Sequence, residues 1–201
     1  MKLLIAIPTQ DNMHYLFTQS LLNLTRRLTE TSVDYVVDMR ADSLVYNSRE
    51  RLAARARMEN FSHVLWLDTD MVFDADLFER LSAHDKDFVT AVCHGRKRPY
   101  KSCVFKRLIP EAEKYSVTTY PDDLFKIAGA GFACVLTSTK LLRDVKMKHG
   151  NLFVPSLAFG EDLAFCKKAT ECGYELWADP KIRPGHIGYI EITADDEVIG
   201  D

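Results

Sequence analysis

The sequence predicts an α/β fold, with a mostly parallel central sheet flanked by helices and a smaller mixed or antiparallel C-terminal part. Three observations predict it. Short apolar runs alternate with helical patterns from residue 3 to residue 93. Strand-like runs between residues 103 and 137 then break that alternation. The chain has 201 residues, 47% of them hydrophobic, with no repeat or linker, and a chain of this size buries roughly 70% of its unfolded surface.

Taken in order, Leu3–Ile7 is a buried strand closed by Pro8. Asp11 or Asn12 caps a helix to about Leu28, with Leu16, Leu21, Leu24 and Leu28 near one stripe. Val33–Met39 is the second strand. Asn47 or Ser48 caps a helix through Glu59. His63–Leu67 is the third strand, Asp74–Ser82 a short helix, and Phe88–Cys93 the fourth strand. Cys103–Leu108, Ser116–Tyr120 and Phe125–Thr137 read as strands, followed by a helix over Ser138–Lys146. Glu161 to Cys172 forms a helix stopped by Gly173, and short strands near Tyr174–Ala178 and His186–Ile192 end the chain. One domain is expected, divided into residues 1–93, 94–192 and an acidic tail at 193–201.

The formal net charge is −3, which gives no global basic field for nucleic acid. Charge is uneven, however: HGRKRPYKSCVFKR (94–107) carries six Lys or Arg and no acid. Three readings of that run stand: a surface loop, closure over a diphosphate, or contact with an anionic acceptor. Five cysteines, an odd number without CxxC, match neither a disulfide framework nor a zinc site and fit a reducing compartment. The five-residue apolar run after Met1 is short of the apolar core of about 7–15 residues that a signal peptide needs, and of the roughly 20 that span a membrane. A cytoplasmic location is expected, with peripheral membrane contact as the alternative.

The stretch HVLWLDTDMVFD ends an apolar strand in two aspartates. In continued strand geometry, Asp68 and Asp70 point the same way. Two carboxylates ~4 Å apart at an effective dielectric of about 20 repel by roughly 4 kcal/mol. A divalent cation reverses that sign, and oxygen ligands suit Mg or Mn. An EF-hand fails because Val72 and Phe73 stand where a ligand and a glycine are required. Asp74 and Asp76 read as a solvated turn, with Asp74 capping the next helix.

The ordered set IPTQDN, NSRERLAA, VLWLDTD, GAGFACVLTS, FGEDLAFCKKATECGYELWADP and GHIG resembles GT-A glycosyltransferases of the family 2 type over roughly residues 3–190. The resemblance implies a metal bridging the DxD motif and the diphosphate of a nucleotide-sugar. It implies transfer of a hexosyl or deoxyhexosyl group to a hydroxyl acceptor in glycan biosynthesis. The implied metal ligands are Asp68, Asp70 and His186; as a residue alone, His186 also reads as a loop histidine. Asp162 is the implied general base and Glu161 the acceptor-orienting residue. Both acids also suit a helix N-terminus, where the dipole favours them by about 0.3–1 kcal/mol. A base without a covalent nucleophile implies inversion at the anomeric carbon.

Arg49 shares a helix face with Leu52, Ala53 and Ala56, so it points toward the sheet and needs an anion. That anion is either the nucleotide, as the resemblance implies, or Asp38 or Asp68 in an ion pair. The family pattern is Arg-Asn, and here Glu50 follows Arg49. Pro8, Thr9 and Asp38 fall where the family holds base and ribose, uracil being common there. Gly129 and Gly131 leave room for a sugar or diphosphate, or mark a strand bulge. The expected partners are a nucleotide-sugar, a UDP-sugar first, and a carbohydrate or other hydroxyl acceptor, with the chain acting alone, as a module or as a homo-oligomer. Two alternatives remain: a non-catalytic relic that binds a nucleotide-sugar or glycan, and a nucleotidyltransferase. PTQDNMHY lacks the glycine-rich basic loop that the second requires.

Overall fold

The computed structural model describes residues 1–10, 12–96 and 98–188. The expected cap Asp11, the last part of the expected strand His186–Ile192 and the acidic tail lie outside the described residues.

The chain alternates first as the sequence predicts. Strand β1 (Lys2–Thr9) leads to α1 (Tyr15–Glu30), β2 (Asp34–Ala41), α2 (Val45–Met58) and β3 (His63–Leu67). Then come β4 (Met71–Val72), α3 (Leu77–Ser82), β5 (Phe88–Ala91), β6 (Val104–Phe105), a 3-10 turn (Ala112–Tyr115), β7 (Phe125–Ile127), β8 (Gly129–Ala130) and β9 (Cys134–Ser138). Helices α4 (Thr139–His149) and α5 (Glu161–Glu171) precede β10 (Leu176–Asp179) and β11 (Gly185–His186).

Seven strands form one sheet in the order β2-β1-β3-β9-β5-β10-β7. β2, β1, β3, β5 and β10 share one direction, while β9 and β7 run against it. Two small ladders, β11-β4 and β6-β8, stand beside it.

The pleat of β1 shows why its apolar run is continuous. Leu4 and Ala6 face one core, shared with Leu52, Ala56, Leu141 and Phe165 from α2, α4 and α5. Leu3, Ile5 and Ile7 face the other, shared with Phe17, Leu24 and Leu81 from α1 and α3. Both faces are covered, so alternation disappears from the sequence. Trp66 and Phe132 anchor the first core at 5.8 Å between ring centroids, and the Trp66 indole N–H donates to Thr137 Oγ1 at 2.9 Å.

Several boundaries differ from the sequence reading. Helix α1 starts after His14, whose Nδ1 accepts from Leu16 N at 3.2 Å, so Asn12 does not cap it. Leu16 faces out and Phe17 takes its place in the stripe. Helix α2 begins at Val45, with Asp42 Oδ1 accepting from Leu44 N; Asn47 and Ser48 lie inside the helix. Asp74 offers its backbone carbonyl, not its side chain, to Leu77 N at 3.2 Å. Ser116–Tyr120 forms no strand beyond one bridge from Ser116 to Phe105. The run Phe125–Thr137 divides into β7, β8 and β9, because Gly129 and Gly131 let the backbone leave one ladder for another. Helix α4 outruns Lys146 to His149 and ends at Gly150, whose φ of 73° suits glycine.

Candidate active site

Strand β1 has β2 on one side and β3 on the other, with α1 and α2 packed on opposite faces. The strand order therefore reverses beside β1, and ligands of open α/β sheets bind outside the carboxyl ends of strands at such a point. A cleft of about 790 Å³ opens there. Pro8 and Thr9 line it from the end of β1, Asp68, Thr69 and Asp70 from the turn after β3, Arg49 from the second turn of α2, and Glu161 and Asp162 from the first turn of α5.

Arg49 organises the floor. It is 2% exposed, with Nη2 at 2.9 Å from Asp68 Oδ1 and Nη1 at 2.7 Å from Glu161 Oε1. Nη1 also bonds Asp162 Oδ1. The guanidinium carbon lies 5.5 Å from the centre of the Phe132 ring. Burial alone would push Arg49 toward neutrality, but Asp162, Asp68 and Glu161 outweigh it and keep the group charged. Of the two ion pairs expected for Arg49, the one with Asp68 forms and the one with Asp38 does not.

Burial raises the pKa of Asp68 from its ordinary value, against the pull of Arg49. Asp162 is pushed up to about 7 by burial, with Glu161 and Asp68 adding to it and Arg49 opposing. Its other oxygen, Oδ2, accepts from Phe132 N at 3.3 Å. A carboxylate so placed has both oxygens oriented while retaining free lone pairs.

The β11-β4 ladder brings the distant His186 to Asp70. His186 pairs with Met71, and Ile187 N donates to Asp70 O at 2.8 Å. His186 Nδ1 lies 2.7 Å from the carbonyl of His94. A carbonyl oxygen only accepts, so Nδ1 carries a proton. Nε2 then faces Asp70 Oδ2 at 3.2 Å. In a neutral ring that nitrogen is a lone pair opposite a carboxylate, an arrangement that either a second proton or a metal cation completes. Hydrogen bonding to Asp70 raises the pKa of His186 despite burial. Burial opposes ionisation of Asp70, yet His186 and Arg96 together hold its pKa below the usual range.

These donors fit a hard or borderline divalent cation in chemistry: an imidazole nitrogen poised by a backbone carbonyl, and a carboxylate beside it. In position they fit at Asp70 and His186. Asp68 is engaged by Arg49, and among the described residues no three His, Cys, Asp or Glu side chains converge as a ready ligand set.

The remaining sequence candidates divide. Pro8 and Thr9 line the cleft as expected. Asp38 does not; it is 6% exposed and bound by Arg40 at 2.9 Å and Arg55 at 2.8 Å. Gly129 is a packing residue: a Cβ there would stand 2.9 Å from Leu108 and 3.3 Å from Cys166 Cβ, so it opens no space for a sugar. Gly131 does adjoin the site, with its would-be Cβ 3.7 Å from Asp162 Oδ2. Glu50, the departure from the family pattern, accepts from Leu152 N and Phe153 N, the latter at 2.6 Å, and ties α2 to the approach of α5. Sequence reasoning missed Arg96 as an individual, although it singled out the basic run that holds it. All five cysteines are free thiols. No helix among the described residues is long and apolar enough to cross a membrane.

Neither a protein-family model nor a curated protein sequence matches the chain. Solved structures do match in fold. A197 from STIV aligns with a TM-score of 0.59 at 18% identity, over 95% of this chain and 87% of that one. GalNAc-T7, in a structure with UDP, GalNAc and Mn2+, aligns with a TM-score of 0.60 at 12% identity, over 94% of this chain and 44% of that one. The catalytic domain of Drosophila beta1,4-galactosyltransferase 7, in complex with xylobiose, aligns with a TM-score of 0.50 at 14% identity, over 92% and 66%. At such identities the likeness is one of architecture: the chain has a GT-A-like fold, and it spans under half of the GalNAc-T7 chain.

Proposed function

We propose that this protein is a metal-dependent glycosyltransferase, moving a sugar from a nucleoside-diphosphate-sugar to a hydroxyl acceptor with inversion. One observation carries the reading: the charge of the cleft. Its described lining holds four carboxylates, Asp68, Asp70, Glu161 and Asp162, against two guanidiniums, Arg49 and Arg96. A diphosphate entering such a cleft meets repulsion unless a cation enters with it.

Asp70 and His186 would hold the cation, with Asp68 as the third candidate once freed from Arg49. When bound, the cation supplies Lewis-acid neutralisation of the departing diphosphate. Pro8 and Thr9 line the side toward the nucleotide, and UDP is the first candidate because the fold neighbour GalNAc-T7 is described with it. Asp162 takes the acceptor's proton: a carboxylate pushed up to about 7 is partly ionised at neutral pH and more basic than a surface aspartate. Arg49 and Phe132 N–H fix its orientation. Glu161, beside it on the first turn of α5, orients the acceptor. In this reading residues 1–93 supply most of the donor side and 94–192 the acceptor side, with His186 reaching back to the donor's cation and β9 of the second part lying inside the sheet of the first.

A thermal-shift panel of nucleotide-sugars, run with Mn2+ and with chelator, tests the reading. A UDP-sugar that raises the melting temperature only with metal is the expected result. A flat panel under both conditions refutes it.

A further inference from the structure

Arg96 stands where the cation would act. His94 and Ser102 form a β-bridge, and Gly95 N donates to Lys101 O at 2.9 Å, so this hairpin presents Arg96 at the turn after β3. Its Nη1 lies 2.9 Å from Asp70 Oδ2. His186 Nε2 approaches that same oxygen at 3.2 Å. The Arg96 guanidinium and the His186 ring thus converge on one carboxylate oxygen, the one that the donor reading gives to a divalent cation.

The arginine is free to leave. Its side chain is 53% exposed and Asp70 is its partner, so departure breaks an ion pair and no core packing. It also lines two cavities: the candidate active site and a second of about 720 Å³ bordered by His186, Arg98, Lys101 and Glu113. Gly188 lies beside its stem: a Cβ there would stand 3.7 Å from Arg96 Cβ and 3.9 Å from Cγ, so a side chain at that position would touch the arm.

Resting on the donor reading, we infer that Arg96 is an exchange arm. It neutralises Asp70 while no cation is bound, yields that carboxylate to the entering cation, and then binds the diphosphate of the donor. A divalent cation and a guanidinium repel each other at contact distance, so a cation entering at Asp70 Oδ2 weakens the Arg96 pair and favours its release. The released guanidinium is a planar, permanently charged fork beside a diphosphate, the geometry that recognises phosphate oxygens in pairs. Of the three readings of the basic run, this selects diphosphate closure and assigns it to one residue. The site is balanced in both states: Asp70 is never bare, and the diphosphate meets two sources of positive charge.

The test measures two affinities in one variant. Arg96→Gln removes the competitor for Asp70, so it binds Mn2+ alone about tenfold more tightly, read from the free-Mn2+ electron paramagnetic resonance signal. At saturating Mn2+ the same variant binds UDP about tenfold more weakly, read by calorimetry. Arg96→Lys, which keeps a positive charge, stays within a fewfold of the starting protein for Mn2+ alone. Arg98→Gln, which borders the second cavity without touching Asp70, leaves Mn2+ affinity unchanged. A purely structural role would shift both affinities the same way or neither. If the unaltered protein binds Mn2+ and UDP but Arg96→Gln shows no gain for Mn2+ or no loss for UDP, the exchange is refuted and the donor reading stands. If the unaltered protein binds neither ligand, both are refuted. Thermal melts confirm that each variant is folded.

Discussion

Replacing Arg49 with methionine removes the charge from a buried guanidinium and keeps most of its volume. Asp68, Glu161 and Asp162 are then left without their counter-ion. Breaking one side of a buried ion pair costs about 3–5 kcal/mol. These three acids keep side-chain exposures of 32%, 20% and 26%, so water takes up part of the charge and the lower figure, about 3 kcal/mol, applies. At roughly 2–4 °C per kcal/mol for a chain of this length, the melting temperature falls by about 6–12 °C. The loss depends on pH with a definite sign. Burial already holds Asp162 up to about 7, and Arg49 opposes that rise, so removing Arg49 moves it further up. A carboxylate whose folded pKa is raised contributes stability below its unfolded value, about 3.9, and loses it as pH rises through the folded value. The deficit of Arg49→Met is therefore smaller at pH 5 than at pH 8. Thermal unfolding followed by circular dichroism, in chelator, measures it at both pH values. A deficit below about 1 kcal/mol, or one equal at the two pH values, refutes the account of Arg49 as the counter-ion of three acids.

Three further substitutions separate roles within the site. Asp162→Asn keeps UDP affinity in Mn2+ and lowers transfer by about 10²–10⁴, the range of a lost general base; near-normal turnover in a single-turnover assay removes Asp162 from that role. Gly129→Ala forces a Cβ against Leu108 and Cys166, costing about 1–3 kcal/mol in urea unfolding while sparing UDP affinity; the reverse pattern would restore it to a sugar pocket. Asp38→Ala frees Arg40 and Arg55, both able to return to water, so stability falls by about 1 kcal/mol and UDP affinity by calorimetry is unchanged.

The first half of the fold was legible because its signals are local. Leu3–Ile7 and His63–Leu67 are apolar on both faces, and the buried face of α2 (Arg49, Leu52, Ala53, Ala56) is spaced at helical period. The same spacing placed Arg49 inside. What it could not give was the partner. Glu161 and Asp162 lie over a hundred residues away, and only the closing of α5 on α2 brings them to the guanidinium. The insertion of β9 between β3 and β5 was equally hidden, since strand order is decided by packing that no window of sequence contains. Caps were misplaced for a related reason. Asn47 and Ser48 carry favourable cap chemistry, but Asp42 reaches the end of α2 from outside the helix, and Ser48 is buried. Asp38 shows the limit of analogy by position: it sits at the expected strand, yet two arginines of this chain hold it away from the cleft lining.

The central claim is that a divalent cation joins Asp70 and His186 to the diphosphate of the donor. Anomalous diffraction from crystals soaked with Mn2+ and UDP measures this directly. The account predicts a manganese peak contacting Asp70, His186 Nε2 and phosphate oxygens, with Arg96 moved off Asp70. UDP seated in the cleft with no manganese peak, and Arg96 still on Asp70, would contradict it.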